Sequence, residues 1–258
     1  MRPLHVTVCE LPDDRAQFQN AWAALVDHVR TSASQLVLLP EMPFAPWLAA
    51  SPEFDASAWD AAVAEHDAWL PRLADLAPAA VIGSRPVTRG SLRLNEGFVR
   101  DTAHGYRAVH DKRFLPDEDG YWEAKWYSPG DGRFELAAIA GAQVGMLVCT
   151  ELWSLGHAQQ YGRKGGEVIV TPRATGKPTV EKWLVGGKAA AIVSGAFSLS
   201  SNWTAGDTGG DFGGAGWIID PDGRELARTS RARPFQTATI DLDAAVAAKQ
   251  TYPRYAVR

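Results

Sequence analysis

The stretch that decides the fold is VGMLVCTELW, residues 144–153. Four of the five residues before Cys149 are apolar, and a hydroxyl and an acid follow it directly. A short apolar run of this kind favours a strand that is buried on both faces, as in the sheet of an α/β protein. The stretch leaves open whether Cys149 is an inert core residue or a nucleophile presented at the end of a strand.

Strand and helix patterns alternate on both sides of this stretch. The predicted strands are LHVTVC (4–9), QLVLLPE (35–41), AAVIGS (79–84), NEGFVR (95–100), GYRAVHDK (105–112), FELAAI (134–139), QVGMLVC (143–149), EVIVTP (167–172), AFSLSSN (196–202) and QTATIDL (236–242). The predicted helices carry apolar residues at helical spacing. They are a helix from Phe18 to Val29, a helix that a capping box at Ser57-x-x-Asp60 opens, a helix over residues 154–164, a helix over residues 180–193 and a short helix after residue 242. A hairpin turns on Pro221-Asp222-Gly223. The order predicts one α/β domain over residues 1–258, with helices on the sheet faces.

Composition excludes several classes of protein. The 258 residues are 46% hydrophobic and 22% charged, with a net charge of −4 and scattered basic residues, unlike a nucleic-acid binder. No apolar run reaches the ~20 residues of a membrane-spanning helix, and the first residues do not resemble a signal peptide, so a cytoplasmic location is expected. The two cysteines, Cys9 and Cys149, predict no disulfide framework, and the six histidines form no cluster with metal-ligand spacing.

Three predicted strands end in residues that can do chemistry together. They are Glu41, Lys112 and Cys149, and side chains at the carboxyl ends of strands converge in open α/β sheets. Glu41 would accept the thiol proton, and Lys112 would stabilise negative charge on a substrate oxygen. A helix beginning after Cys149 would add the Thr150 N–H as a second oxyanion donor. Long irregular stretches next to these residues, 42–56, 113–133 and 203–215, are expected to carry function.

The residues alone leave other interpretations open. A lone cysteine after GMLV is commonly a buried core residue, and Glu41 and Lys112 are both compatible with solvated surface positions. A Cys–His pair is an alternative, with His110 or His157 as the base. No spacing favours either histidine.

Taken in order, three stretches resemble the nitrilase, or carbon–nitrogen hydrolase, superfamily. They are LVLLPEMPF with Glu41, HDKRFLPDEDGYWEAKWYSPGD with Lys112, and VGMLVCTELW with Cys149. The middle stretch is similar to the loop of N-carbamoylputrescine amidase-like members and places Glu123 at the second glutamate of that pattern. GSRP, Asn95, GGEVIVTPRAT, SLSSNW with Asn202 and GGAGWIIDPDG extend the resemblance over residues 4 to about 242.

The resemblance implies a four-layer α-β-β-α sandwich that assembles as a homodimer or larger homo-oligomer. It also implies hydrolysis of a non-peptide C–N bond of a small-molecule amide through a cysteine thioester, with release of ammonia and without a cofactor or metal. Cys149 is the implied nucleophile and Glu41 the general base. Lys112 and the Thr150 N–H hold the oxyanion, and Glu123 orients Lys112 or the substrate nitrogen.

Glu151 departs from the turn that follows the nucleophile in many members. It is either an acid at the start of a helix, which the sequence favours, or a substrate ligand. Among the ten tryptophans, Trp47, Trp122 and Trp153 lie near the catalytic stretches and are candidates for the pocket wall. Arg173, at the end of a predicted strand, is a candidate clamp for a substrate carboxylate.

Amide hydrolysis is the leading interpretation of the substrate class. Removal of a carbamoyl group from an N-carbamoyl amine or amino acid is the first alternative, and nitrile hydrolysis is the second. A binding protein on the same scaffold is a further alternative, but the complete set of Glu41, Lys112, Glu123 and Cys149 argues against it. No nucleic-acid or membrane partner is expected.

Overall fold

The computed structural model describes residues 1–206 and 211–257. Its strands are β1 (Pro3–Pro12), β2 (Leu36–Leu38), β3 (Ala80–Arg89), β4 (Leu92–Asp101), β5 (Gly105–Asp111), β6 (Ala137–Ile139), β7 (Ala142–Met146), β8 (Val168–Arg173), β9 (Phe197–Thr204), β10 (Trp217–Ile219), β11 (Glu225–Arg228) and β12 (Phe235–Asp241). Its α-helices are α1 (Arg15–Thr31), α2 (Ala56–Trp69), α3 (Glu123–Trp126), α4 (Leu155–Arg163), α5 (Val180–Ser194) and α6 (Leu242–Ala248). Short 3₁₀ helices cover Leu48–Ala50, Leu70–Leu76, Cys149–Trp153, Lys177–Thr179 and Arg254–Val257. None of these described helices is long and apolar enough to cross a membrane.

The strands form two sheets, and strand β1 connects them. The first sheet has the order β12-β1-β2-β3-β4-β5, and the second has the order β11-β10-β9-β8-β7-β6. The central strands β1-β2-β3 and β7-β8-β9 are parallel. The end of β1 also pairs with β9, through Glu10–Pro12 and Asn202–Thr204. The carboxyl ends of the parallel strands therefore meet along one edge of the two sheets.

The two sheets pack face to face, with a helix layer on each outer face. Val6 and Val8 of β1 belong to the apolar cluster between the sheets, together with Val168 and Val170 of β8. Alternate residues of a strand point to opposite faces, and the next residue, Cys9, belongs instead to the cluster under α1 and α2. Helices α4 and α5 pack on each other and over the outer face of the second sheet. The α-β-β-α arrangement predicted from the sequence is confirmed by these layers and by the structural comparison given below.

Two glycines mark the closest approaches between layers. A Cβ on Gly97 of β4 would overlap the Met146 side chain of β7, so the two sheets touch at this point. On the outer face, a Cβ on Gly145 would overlap the ring of Tyr161 in α4. Both contacts lie close to the end of β7, which leads to Cys149.

Local structure differs from the sequence prediction at three places. The N-cap of α2 is Asp55, whose carboxylate accepts from the N–H groups of Ser57 and Ala58, and the capping box predicted at Ser57 is wrong. Strand β7 ends at Met146, so Cys149 lies in a 3₁₀ turn beyond the strand. The irregular stretch predicted at 203–215 begins inside β9, and its residues 207–210 lie outside the described residues.

Candidate active site

Glu41, Lys112 and Cys149 all lie just beyond the carboxyl end of a strand. Glu41 follows β2, Lys112 follows β5, and Cys149 follows β7. The parallel packing of the sheets brings these three ends to the same edge. The convergence is the one expected for a site at the carboxyl edge of an α/β sheet.

The centre of the site is an ammonium group held between two carboxylates. Lys112 Nζ lies 2.8 Å from Glu41 Oε1, and 2.8 and 2.6 Å from the two carboxylate oxygens of Glu123. All three side chains are 0% exposed. A buried charge of either sign is costly without a partner, so the two carboxylates stabilise the ammonium ion between them.

Glu41 is oriented by partners from other strands. Asn95 of β4 donates from Nδ2 to Glu41 Oε1 at 2.7 Å, and Trp203 of β9 donates from Nε1 to the Glu41 carbonyl at 2.5 Å. The following residue, Met42, has a φ of 45°, which turns the chain away from the strand direction. Within residues 1–206 and 211–257, Glu41 Oε2 has no hydrogen-bond partner. One oxygen of the carboxylate is therefore fixed, and the other is open to a proton from a reacting group.

Lys112 is held through its backbone by the long segment that precedes β6. Its N–H donates to the Asn95 carbonyl at 2.9 Å, and its carbonyl accepts from the Gly130 N–H at 2.9 Å. A Cβ on Gly130 would overlap the backbone carbonyl of Asp111. The glycine of the SPGD motif is therefore required by the close approach of this segment to the lysine strand.

Burial and charge shift the pKa values of this cluster in opposite directions. Burial lowers the pKa of Lys112, but the carboxylates of Glu123 and Glu41 raise it further, so the net shift is upward and the ammonium form persists. Burial raises the pKa of Glu123, Lys112 lowers it and Glu41 raises it, with a net upward shift. Lys112 thus stays a cation, and burial and the charge of Glu41 hold the pKa of Glu123 above its ordinary value.

Cys149 has a strained backbone and a protonated thiol. Its φ is 48°, in the left-handed region that non-glycine residues seldom adopt, and it begins the 3₁₀ helix Cys149–Trp153. Burial and the charge of Glu41 raise the pKa of the thiol, and the Lys112 ammonium and the Ala174 N–H only partly oppose them. The resting residue is therefore a neutral thiol that needs a base to become a nucleophile. Strain of this kind persists where the surrounding structure holds it, and it is concentrated at functional sites.

Cys149 and Thr150 line a cavity of about 610 Å³. Its walls include the aromatic rings of Tyr121, Trp153 and Trp183, and the Trp153 and Trp183 ring centroids are 5.1 Å apart. Charged side chains at the same cavity are Glu118, Lys182 and Asp211. Thr150 lies in the first turn of its helix, where backbone N–H groups lack intrahelical partners. The cavity thus presents the Cys149 thiol to a small molecule with a flat or apolar part.

Two of the predicted tryptophans lie elsewhere. Trp47 donates from Nε1 to the Gly120 carbonyl at 3.0 Å and lines a separate cavity of about 770 Å³ beside α2. Trp122 packs against the cluster that contains Met42 and Trp126 and is not among the residues that line the Cys149 cavity. Trp153 is the predicted tryptophan that the structure places beside the nucleophile.

Arg173 is buried inside the protein and is not among the residues that line the cavity. Its guanidinium donates to Ser200 Oγ, Thr175 Oγ1 and the Ala215 carbonyl at 2.7, 2.8 and 2.8 Å, and it lies 4.2 Å from the ring centroid of Trp217. Burial lowers its pKa to about 9, against the smaller upward influence of Cys149. Its donors are used to fix the chain after β8 and β9, which leaves the prediction of a carboxylate clamp without support from the geometry.

The two histidines considered as bases are engaged elsewhere. His110 Nε2 lies 2.7 Å from Glu151 Oε2, and the His157 ring stacks on Phe134 with centroids 3.7 Å apart. Glu151 itself is fully buried in the first turn of the 3₁₀ helix and does not line the cavity. Its location matches an acid at a helix start and differs from that of a substrate ligand.

Sequence reasoning overlooked several residues that the structure brings to the site. Tyr121 and Trp183 line the cavity, whereas the sequence predicts Trp122, the neighbour of Tyr121, together with Trp47 and Trp153. Tyr121 lies in an irregular segment, which shows no periodicity that would indicate where its ring points, whereas Trp183 lies in α5, outside the catalytic stretches. In residues 1–206 and 211–257, no three His, Cys, Asp or Glu side chains form a group able to hold a metal ion.

The family model described as "Carbon-nitrogen hydrolase" matches residues 6–250. The chain belongs to this family. The resemblance to the nitrilase superfamily that the sequence stretches predicted is therefore confirmed.

Individual relatives are distant in sequence and close in fold. The crystal structure of a carbon-nitrogen hydrolase from Helicobacter pylori G27 is similar with a TM-score of 0.88 at 21% identity, covering 100% of this chain and 96% of that one. Citrullinase of Francisella tularensis is 26% identical over 157 residues, which are 55% of this chain and 54% of that protein. The (R)-stereoselective amidase of a Pseudomonas species is 28% identical over 177 residues, 67% of this chain and 61% of that protein. The alignments thus span less than two-thirds of the lengths of these two curated relatives.

Proposed function

We propose that this chain is an amidase that hydrolyses the C–N bond of a small-molecule amide through a thioester on Cys149 and releases ammonia. The observation that carries the proposal is the buried Lys112 ammonium between Glu41 and Glu123, beside a neutral thiol that lines a cavity. Membership of the carbon-nitrogen hydrolase family and relationship to a protein named as an amidase support the same reaction class.

Acylation begins when the Cys149 sulfur attacks the amide carbonyl carbon. Because the thiol is protonated at rest, its proton passes to Glu41 as the S–C bond forms. The carbonyl oxygen becomes an oxyanion, which the Lys112 charge and the Thr150 N–H stabilise. Glu41 then gives the proton to the nitrogen, the C–N bond breaks, and ammonia leaves the thioester behind.

Deacylation uses the same groups with water as the nucleophile. Glu41 removes a proton from the water, which attacks the thioester carbon, and a second oxyanion forms in the same place. Collapse of this intermediate breaks the S–C bond, returns the proton to Cys149 and releases the carboxylic acid. Glu123 keeps Lys112 in position throughout, because its two oxygens bind the ammonium when Glu41 becomes protonated.

Removal of a carbamoyl group is the second candidate. Relationship to a citrullinase and the GYWEAKWY segment favour it. Attack by Cys149 would release the free amine as the leaving group and form a carbamoyl enzyme, whose hydrolysis gives carbamate and then ammonia and carbon dioxide. Amide hydrolysis gives ammonia without carbon dioxide, so the two products separate the candidates.

The experiment compares wild type with Cys149→Ala on amides, N-carbamoyl compounds and nitriles, with ammonia and carbon dioxide as readouts. We expect wild-type turnover of at least one amide and a loss of about 10⁴-fold or more in Cys149→Ala. A slow substrate should add the mass of its acyl group to the wild-type protein at Cys149.

Cys9→Ala is the matched control. Cys9 is the other buried cysteine, its Sγ faces the Leu38 carbonyl at 3.3 Å, and it lies outside the Cys149 cavity. Its removal should leave turnover unchanged. Equal rates for wild type and Cys149→Ala would overturn the mechanism, and carbon dioxide in step with ammonia would replace amide hydrolysis by decarbamoylation.

A further inference from the structure

Glu151 has more hydrogen bonds than a helix-start acid needs. Its carboxylate accepts from the Val148 N–H at 2.8 Å, from the Arg113 N–H at 2.7 Å and from His110 Nε2 at 2.7 Å. The side chain is 0% exposed. A carboxylate with several buried donors is strongly fixed in place.

These partners are the immediate neighbours of the nucleophile and of the oxyanion lysine. Val148 directly precedes Cys149, Arg113 directly follows Lys112, and His110 lies two residues before Lys112. Lys112 extends from β5 of the first sheet, and Cys149 extends from β7 of the second. One carboxylate therefore joins the two sheets at the point where the reacting groups must meet.

His110 supplies the positive charge that pairs with the Glu151 carboxylate. Its Nε2 faces Glu151 Oε2 and its Nδ1 faces the Arg133 carbonyl at 3.3 Å, so both ring nitrogens face oxygen acceptors. A neutral imidazole carries a proton on only one nitrogen, and the imidazolium ion satisfies both contacts. Burial lowers the pKa of His110, but the hydrogen bond and the charge of Glu151 raise it by more, in agreement with the charged form.

The ion pair of Glu151 and His110 also bears on the strained backbone of Cys149. A φ of 48° persists only if neighbouring contacts hold it. Glu151 supplies two such contacts with Val148, because its N–H also donates to the Val148 carbonyl at 3.1 Å. Glu151 thus closes the turn that carries the Cys149 thiol, and it also connects this turn by hydrogen bonds to the residues on either side of Lys112.

We propose that Glu151 and His110 are positioning residues whose ion pair sets the distance between Cys149 and Lys112. In this arrangement, the oxyanion that forms when Cys149 attacks the carbonyl lies against the Lys112 ammonium. The inference rests on the proposed amide hydrolysis. Neither residue touches substrate, so their loss acts on the catalytic step and leaves substrate binding largely unchanged. A misplacement of reacting groups by about 1 Å costs on the order of 10²-fold in rate.

The test compares Glu151→Gln with Glu167→Gln. Glu167 is also buried, accepts from a backbone N–H (Gln143, 2.9 Å) and pairs with a cation, Arg2, but it lies near the opposite end of β7. We expect Glu151→Gln to lower kcat by about 10- to 100-fold with KM changed by less than about 3-fold. Glu167→Gln should keep kcat within about 2-fold, although both variants lose folding stability. Urea unfolding of each variant sets the assay temperature so that both are folded.

His110→Gln keeps the test decisive if Glu151→Gln folds poorly, and the double variant Glu151→Gln/His110→Gln adds a second check where both single variants fold. His110→Gln removes one of the three contacts and leaves the two backbone N–H bonds to Glu151 in place. It should lower kcat without raising KM, and the double variant should be no slower than Glu151→Gln because the two residues act as one unit.

Three outcomes would overturn the inference. They are an equal loss of kcat in Glu151→Gln and Glu167→Gln, a loss confined to KM, and additive losses in the double variant. If wild type releases no ammonia from any amide, the proposed function fails and this inference fails with it. If wild type is active and Glu151→Gln matches it, only the positioning role fails.

Discussion

Two parts of the molecule are equally closed to solvent but opposite in chemistry. Under α1 and α2, aromatic rings pack with neighbouring centroids 4.9 to 6.1 Å apart, and these rings are Phe18, Trp22, Phe44 and Trp69. At the carboxyl ends of the strands, the buried side chains are instead Glu41, Lys112 and Glu123. Apolar burial stabilises a fold in proportion to area, whereas buried ion pairs contribute little net stability. We therefore expect stability to depend mainly on the aromatic part and the proposed activity to depend on the charged part.

The strongest test of this assignment is Lys112→Met, which removes the cation and keeps most of the side-chain volume. We expect kcat/KM for ammonia release to fall by at least about 10³-fold, or about 4 kcal/mol in transition-state stabilisation. Stability should suffer less than activity, because Glu123 has a raised pKa and takes up a proton when the ammonium is absent.

Lys164→Met is the control for this substitution. Lys164 pairs with Glu135 at the surface at 3.0 Å, and surface pairs contribute about 0–1 kcal/mol. Its kcat/KM should match that of wild type. If kcat/KM of Lys112→Met falls by less than 10-fold, the charged cluster has a structural role, and the assignment of activity to it is wrong.

Trp22→Ala tests the aromatic side of the comparison. Trp22 is 1% exposed, and its loss leaves a large cavity beside Phe44 and Trp69. We expect a fall of about 3–5 kcal/mol in the free energy of unfolding, with kcat/KM per folded molecule unchanged. Val246→Ala, at a half-exposed position of α6, should cost less than about 0.5 kcal/mol. A drop in kcat/KM for folded Trp22→Ala would show that the two parts are coupled.

The smallest predicted effect concerns two buried histidines, one in each part. In the aromatic part, burial lowers the pKa of His66 to about 4, and the ring accepts from the Phe44 N–H at 3.3 Å. A lowered pKa in the folded state means that folding favours neutral His66. Its contribution is therefore complete above the ordinary pKa of about 6.5 and is lost as the pH falls towards 4, by up to about 3 kcal/mol.

The contribution of His110 to stability depends on pH with the opposite sign. Its pKa is raised in the folded state, so its contribution is complete below the ordinary pKa and is lost as the pH rises through the folded value. Urea unfolding of wild type and His66→Gln at several pH values between 7 and 4 measures the first effect. The variant should show a shallower fall in stability on the acid side, and parallel curves would refute the assignment of a buried neutral ring.

The alternation of strand and helix patterns predicts an α/β domain, and the resemblance to the nitrilase superfamily implies the four layers, which the structure confirms. Strand patterns run up to Glu41, Lys112 and Cys149, although the strands themselves end at Leu38, Asp111 and Met146, and the geometry of parallel sheets brings those ends together. The SPGD motif is also visible in the sequence, but the sequence does not show why a glycine is needed at position 130. The reason is the close approach of Gly130 to the Asp111 carbonyl, which is 19 residues away in the chain.

The pocket wall could not be predicted in the same way. Tyr121 and Trp122 are adjacent and equally aromatic, yet only Tyr121 lines the cavity, because the turn into α3 sets the direction of each ring. Arg173 ends a strand as a ligand-binding residue would, but only one of its three acceptors, Thr175, is near it in sequence, and the other two are Ser200 of β9 and the Ala215 carbonyl. Side-chain direction in irregular segments depends on such tertiary contacts, which leave no periodic trace.

Strand β1 has a mechanical consequence for the whole molecule. Its first residues pair with β12 and β2 in one sheet, and its last three pair with β9 in the other. Neither sheet can peel away from its neighbour without breaking the backbone ladder of this strand. We therefore expect the two halves of the chain to unfold together as one cooperative unit, with the amide protons of β1 exchanging with solvent only when the entire core opens.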